Sequence, residues 1–213
     1  MKASTALKLL AGAAVALVPL TASAESNFQT GAAALTATAK VDFQVTIPKV
    51  LYLRVGTGSS YTTGVLSTTA TVDQVTFTPG AAVIGNGTAQ AGAGGDLTGG
   101  VETAAIVSNS GNVTLNATAN AGGLTDGALG DAINFSEIKT AAAALTGGYT
   151  LLPAPVLANG TSANVVLTAP ATKVITADAK WTYTYANTTT PPAGTYGGVN
   201  TNGSRVTYTA TMP

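Results

Sequence analysis

The side chains with chemistry to offer in this chain are carboxylates. Neither histidine nor cysteine occurs in its 213 residues, which removes Ser-His-Asp and Cys-His nucleophile systems and the common zinc sites. Beyond residue 24 the acids are Glu25, Asp42, Asp73, Asp96, Glu102, Asp126, Asp131, Glu137 and Asp178. Glycoside hydrolysis needs two carboxyl groups about 5–10 Å apart, and no local motif singles out such a pair. Asp42 and Asp178 fall on the expected solvent faces of strands, where ionised groups are ordinary. In DGALGDAINFSE, Asp126, Asp131 and Glu137 stand five and six residues apart. An EF-hand needs ligands at alternate positions, so these read as acids in turns. AGAGGDLTGG lacks the Lys-Ser/Thr ending of a phosphate loop. The chemistry-bearing residues therefore predict a non-enzymatic protein with no catalytic residue, no metal site and no cofactor.

The elements that would position any site read as strands. In LTATAKVDFQVTI, Leu35, Ala37, Ala39, Val41, Phe43, Val45 and Ile47 share one face and Thr36, Thr38, Lys40, Asp42, Gln44 and Thr46 the other. Period-two alternation of this kind predicts a strand with one dry and one wet face. Its thirteen residues would span roughly 44 Å at about 3.4 Å each, well beyond a typical strand of about five or six residues. Such a segment either bends to serve two sheets or projects from its own domain as a strand for donation.

Pro48 breaks that ladder, VLYLRV resumes as a second strand, and TVDQVTFTP reads as a third. Residues 80–100 are dominated by Gly, Ala and small polar side chains and read as a long exposed loop. VETAAIVSN and NVTLNATAN follow as strands, with Ser110-Gly111 suited to a hairpin turn between them. Ser136 to Leu145 carries good helix formers without an amphipathic face, allowing one short helix or turn at most. SANVVLTA, KVITADAKWTYTY and SRVTYTATM complete the set. In KVITADAKWTYTY, Ile175, Ala177, Ala179, Trp181, Tyr183 and Tyr185 share a face and read as core rather than as a sugar-stacking platform. The fold class expected is all-β, an antiparallel, Greek-key, immunoglobulin-like sandwich of about eight or nine strands.

Charged residues make up only 8% of the chain, against about 25% in typical domains; Thr, Ser, Asn and Gly supply the polar surface instead, as suits exposed strand faces. The start of the chain resembles a secretory leader: Lys2 and Lys8 precede an apolar run from Leu9 to Leu20, and Ala22-Ser23-Ala24 matches a signal-peptidase site. The uninterrupted apolar stretch is shorter than the roughly 20 residues needed to span a bilayer. Cleavage after Ala24 would leave residues 25–213 as a single exported domain with no membrane span, in the periplasm, at the cell surface or outside the cell. Loss of Lys2 and Lys8 brings the net charge from zero to about −2, which offers nucleic acid no electrostatic footing.

The C-terminal stretch, AGTYGGVNTNGSRVTYTATMP, resembles the final strand of secreted bacterial pilin-like sandwiches, the spore-coat-protein-U-like and fimbrial-subunit families. Ala193 to Tyr196 and Val206 to Tyr208 carry the likeness, and VDFQVTIPKVLYLRVG resembles the opening strands of such proteins. Chaperone–usher subunits usually carry a disulfide, for which this chain has no cysteine. The resemblance implies a structural role outside the cytoplasm, with self-association, related surface subunits and a periplasmic chaperone as partners. Expected assembly strands contain Leu35, Val41 and Phe43 near the start, and Val206, Tyr208 and Ala210 near the end. The other function class left open is a carbohydrate- or ligand-binding module, using loop aromatics such as Tyr61, Tyr149 and Tyr196.

Overall fold

Bulky residues at every second position of residues 175–185 generate the strand around which the protein is built. A computed structural model describes residues 25–56, 66–127 and 130–213; Ala22 and Ala24 of the expected cleavage site, and Tyr61, lie outside them. The described residues are all-β. Strands β1 (Leu51–Val55), β2 (Val75–Thr76), β3 (Gln90–Ala91), β4 (Ala93–Gly94), β5 (Val101–Ser108) and β6 (Val113–Thr118) make up the first half. The second half contains β7 (Leu124–Thr125), β8 (Ala132–Ile133), β9 (Ile138–Ala143), β10 (Thr150–Leu151), β11 (Val165–Leu167), β12 (Ile175–Tyr185) and β13 (Thr207–Thr211). No described helix is long and apolar enough to cross a membrane.

β12 organises the larger sheet. It pairs antiparallel with β5 from Ile175↔Ser108 to Thr182↔Val101 and with β9 from Lys180↔Ala143 to Tyr185↔Ile138. β3 and, in parallel, β10 also join it, and β1 pairs with the far side of β5, giving six strands. A three-stranded sheet has the order β11-β6-β13, and β2–β4 and β7–β8 form separate two-stranded ribbons. Both larger sheets feed one core: Ala104 and Ile106 from β5, Val113 and Leu115 from β6, and Ala179 and Trp181 from β12 are buried together. Phe135, Leu152 and Leu157 from the connections complete it. The many antiparallel strands match the expected class, but they are distributed over several sheets, and no sheet closes into an eight- or nine-strand immunoglobulin-like sandwich.

Four expectations are corrected. Residues 35–47 form no strand: all are exposed, and no ladder partner is present among the described residues. Alternation supplies a dry face but not the sheet that must cover it. Ser110-Gly111 makes no hairpin, since β5 and β6 belong to different sheets; Gly111, at φ 110°, carries the chain across, and its N–H bonds Lys173 O at 3.1 Å. The stretch from Ser136 to Leu145 becomes mostly β9. Its residues alternate between half-buried and exposed along the edge of β12, so pairing overrides the helix preference of its alanines, and among the described residues helical turning is confined to single 3₁₀ turns at Phe135–Glu137 and Ala81–Val83. Finally, residues 80–100 are not one loop. They contain β3 and β4 and, at Gly94–Gly100, a tight turn leading into β5.

The described chain divides into two units, one ending at Ile47 and one running from Pro48 to Pro213. Within the first, residues 34–47 contain no turn or bend, and Lys40 lies 3.8 Å from Glu25 in an exposed ion pair. Within the second, Asn109 grips the entry to β1. Its side chain accepts the Val50 N–H at 2.8 Å and donates to Pro48 O at 2.8 Å, while its own N–H bonds Val50 O at 3.3 Å.

Candidate assembly groove and buried carboxyl cluster

The expected assembly residues near the start present an unusual surface. Val41, Phe43, Val45 and Ile47 are 74%, 91%, 82% and 76% exposed, and Leu35 is 50% exposed. Fully burying a Val, Leu, Ile or Phe side chain contributes roughly 1.5–3 kcal/mol, so this segment leaves much burial unused. Its backbone also has no ladder, and an unpaired row of N–H and C=O groups is a template for another strand.

The expected residues near the end sit differently. Val206, Tyr208, Ala210 and Met212 are half-buried against the core while Arg205, Thr207, Thr209 and Thr211 are exposed, in the order the alternation predicts. β13 pairs β6 from Thr207↔Thr118 to Thr211↔Thr114. Tyr208 stacks at 5.3 Å and 49° on Trp181, and its hydroxyl meets that of Tyr183 at 2.8 Å. Burial pushes the Tyr208 phenol up to about 12 and raises Tyr183 as well; both remain neutral donors at ordinary pH.

β1 has one ladder neighbour, β5, and β13 has one, β6, so each keeps an unpaired edge among the described residues. A groove of about 640 Å³ runs along β1 and the chain entering β13, with Leu53, Val55, Val75, Phe77, Val206 and Tyr208 in its wall. At one end the residues after β13 are tied to the end of β5 and to the chain entering β1: Ser108 Oγ donates to Met212 Sδ at 3.2 Å and Lys49 Nζ donates to Pro213 O at 3.0 Å. The groove therefore has an apolar stretch of wall, with Ser67, Thr68, Thr69, Thr71, Arg205 and Thr207 also lining it.

At the end of β1 the groove wall becomes ionisable, with Arg54, Asp73 and Glu102. Carboxylate oxygens of Asp73, Asp96 and Glu102 all lie within 4.8 Å of one another. Asp96 accepts the Thr103 N–H at 2.8 Å and the Thr103 hydroxyl, and its Oδ2 is 3.9 Å from the Arg54 guanidinium, both side chains being buried. Glu102 Oε2 accepts the Asp96 N–H at 3.2 Å. Burial, with Asp73 and Asp96 as like charges, raises Glu102 to about 8, the Asp96 N–H opposing. Gly56, at φ 62°, allows this approach, since a Cβ there would come within 2.5 Å of both Asp73 Oδ2 and Glu102 Oε2. Such spacing resembles that of a divalent-cation cage; the Arg54 guanidinium beside Asp96 and the raised Glu102 carboxyl both oppose a cation there.

None of these three acids stood out by sequence. The signal available was local: Gly99 and Gly100, both at positive φ, turn DLTGGVET so that Asp96 caps the strand that follows. Asp73 comes from a distant segment with no such mark. Conversely, Asp126, Asp131 and Glu137 form no ligand cluster among the described residues; Glu137 instead accepts the Thr188 N–H at 2.9 Å and the Thr188 hydroxyl. Asp178, expected on a wet face, is buried, and its Oδ1 accepts the Thr146 N–H at 3.2 Å. Trp181 is fully buried and its indole N–H donates to Leu152 O at 2.9 Å, so it offers no face for sugar stacking. Tyr149 and Tyr196 are half-buried, and the Tyr196 hydroxyl is engaged by Pro192 O at 2.9 Å. Comparison with protein-family models, curated proteins and solved structures finds no match to this chain.

Proposed function

We propose that this protein is an exported, non-enzymatic structural subunit that assembles by strand donation, residues 35–47 of one copy entering the groove between β1 and β13 of the next. In this reading the two larger sheets are an immunoglobulin-like sandwich that lacks one strand, and the donated segment completes it. The observation that carries the proposal is the exposure of Val41, Phe43, Val45 and Ile47 along an unpaired, alternating segment. The same chain supplies a groove with apolar wall residues Leu53, Val55, Val75, Phe77 and Val206 and two strand edges unpaired among the described residues, so the apolar face of the donor has apolar side chains to meet. Main-chain bonds would give affinity and alternate side chains would give register.

Donation to a second copy is favoured over folding back. To cover its own β1 edge the segment would have to reverse at residues 48–50, where Asn109 holds Pro48 O and both polar backbone groups of Val50. Reversal there would sacrifice up to three hydrogen bonds, each contributing about 0.5–1.5 kcal/mol. A neighbouring copy requires no such rearrangement. Export, with removal of residues 1–24, belongs to the same reading, as do related surface subunits or a periplasmic chaperone as further partners.

The test is the association state of the chain beginning at Glu25. Sedimentation velocity across a concentration series should show oligomers growing by whole subunits. Val41→Asp/Phe43→Asp should leave a folded monomer, since charges on the inward face oppose burial in the groove. A wild-type chain that stays monomeric at high concentration overturns the proposal.

A further inference from the structure

Two features of the groove decide how a donated strand lies in it: a tie at one end and an exposed cation toward the other. The residues that follow β13 meet the start of β1, through Lys49 Nζ and Pro213 O at 3.0 Å and through Met212 and Ser108, the ladder partner of Leu51, at 3.2 Å. β13 therefore ends where β1 begins, the two strands run in opposite directions, and Arg205 falls toward the Val55 end. The donor segment continues at Ile47 into Pro48 and a folded unit, for which the tied end leaves no passage. Ile47 must then leave at the Val55 end, so the donated strand runs parallel to β1 and antiparallel to β13. Antiparallel pairing is also slightly the more stable of the two. Folding back within one copy gives the reverse polarity, because that segment joins its own Pro48 at the tied end.

We propose that the register of the donated strand is set by one charge pair, Asp42 of the donor opposite Arg205 of the accepting copy. The inference rests on the strand-donation reading above and names the contact by which one copy recognises the next. Both side chains are exposed, Arg205 lines the groove, and neither has an ion-pair partner among the described residues. With this pair aligned, Val41 meets Val206, Ala39 meets Tyr208, Ala37 meets Ala210 and Leu35 meets Met212, while Thr38 and Thr36 flank Thr209 and Thr211 on the outer face. A small donor side chain thus lies beside the bulky Tyr208, and the largest, Phe43, lies level with Ser204. There Ser204, Val75 and Phe77, with Leu124, Ile133 and Tyr185, line a second cavity of about 660 Å³, whose apolar walls suit an aromatic ring. Val75 and Phe77 also line the groove, so the two spaces adjoin. A slip of one residue turns the apolar face outward. A slip of two sets Lys40 against Arg205, and like charges directly opposite are destabilising; a slip of two the other way leaves Arg205 facing the neutral Gln44.

Two measurements on the full mature chain test it, and every substituted position is exposed, so the variants should keep the fold. In sedimentation velocity, Asp42→Arg and Arg205→Asp should each weaken association roughly two- to thirtyfold, because an attractive cross-strand pair becomes a repulsive one. Asp42→Arg/Arg205→Asp should recover most of that loss; single losses that simply add in the double variant overturn the pairing. Polarity is read separately, by oxidising cysteine pairs in a chain that otherwise has none. Thr38→Cys/Thr209→Cys should give a ladder of disulfide-linked copies on a non-reducing gel, since residues opposite each other in an antiparallel pair fall within disulfide reach. Thr46→Cys/Thr209→Cys, the pair that a parallel strand with Asp42 beside Arg205 brings together, should give none. A ladder from the second pair in place of the first, or from neither while the wild type associates, overturns the register and leaves strand donation standing. A disulfide closed within one copy, or a wild type that stays monomeric, overturns both.

Discussion

Replacing Trp181 with phenylalanine tests the architecture at its most concentrated point. The residue is fully buried, stacks on Tyr208, and donates its indole N–H to Leu152 O at 2.9 Å. Phenylalanine keeps most of the apolar surface but vacates roughly 40 Å³, which at about 24 cal/mol per Å³ of cavity costs about 1 kcal/mol. It also removes the donor. Leu152 is itself fully buried, and its orphaned carbonyl adds about 1–3 kcal/mol. The sum, about 2–4 kcal/mol, is a large part of the roughly 5–15 kcal/mol that stabilises a domain. For a chain of this size it corresponds to a fall in Tm of about 4–16 °C. Thermal unfolding followed by far-UV circular dichroism, with both proteins at the same low concentration, measures it. A fall under 2 °C would refute the reasoning, because neither the cavity nor the orphaned carbonyl would then be real. The wild-type fluorescence provides a check in advance. Trp181 is the sole tryptophan, so the emission should be blue-shifted and poorly quenched by iodide.

Truncation after Asn202 should prevent folding, because it removes β13, the Tyr183–Tyr208 hydroxyl contact and the ring packed on Trp181; a cooperative unfolding transition in the truncated chain would count against this. Stability should fall as pH rises from about 4.5 to about 8. A Glu102 raised to about 8 in the folded state holds a proton that the unfolded chain releases from 4.5 upward. Its contribution is therefore complete below 4.5 and lost above 8, with a slope of at most about 1.4 kcal/mol per pH unit, and Glu102→Gln should flatten urea-denaturation stabilities measured across that window. Asn187→Ala should cost about 2–4 kcal/mol, since the buried Asn187 amide accepts the Gly85 N–H at 2.9 Å and donates to Val83 O at 2.6 Å; an unchanged denaturation midpoint would show those groups to be satisfied otherwise.

By itself the sequence determined the class of structure and the facing of individual side chains. Absence of histidine and cysteine, scarcity of charge and period-two alternation are properties of single residues and near neighbours. They suffice to make the chain all-β, to bury Ile175 through Tyr185 on one face, and to turn Val206, Tyr208, Ala210 and Met212 inward. The same alternation could not distinguish residues 175–185, which are covered, from residues 35–47, which are not. Alternation says which face would be dry, and only long-range pairing says whether anything covers it. Tertiary structure likewise decided that β5 and β6 lie in different sheets despite the turn residues between them, and that Asp178 is buried, with its carboxylate bonded by the N–H of the distant Thr146. It also decided that Asp73, Asp96 and Glu102 meet. Asp96 and Glu102 are brought together by a short turn, but Asp73 arrives from another strand entry, and a contact between distant segments has no local pattern from which to be read.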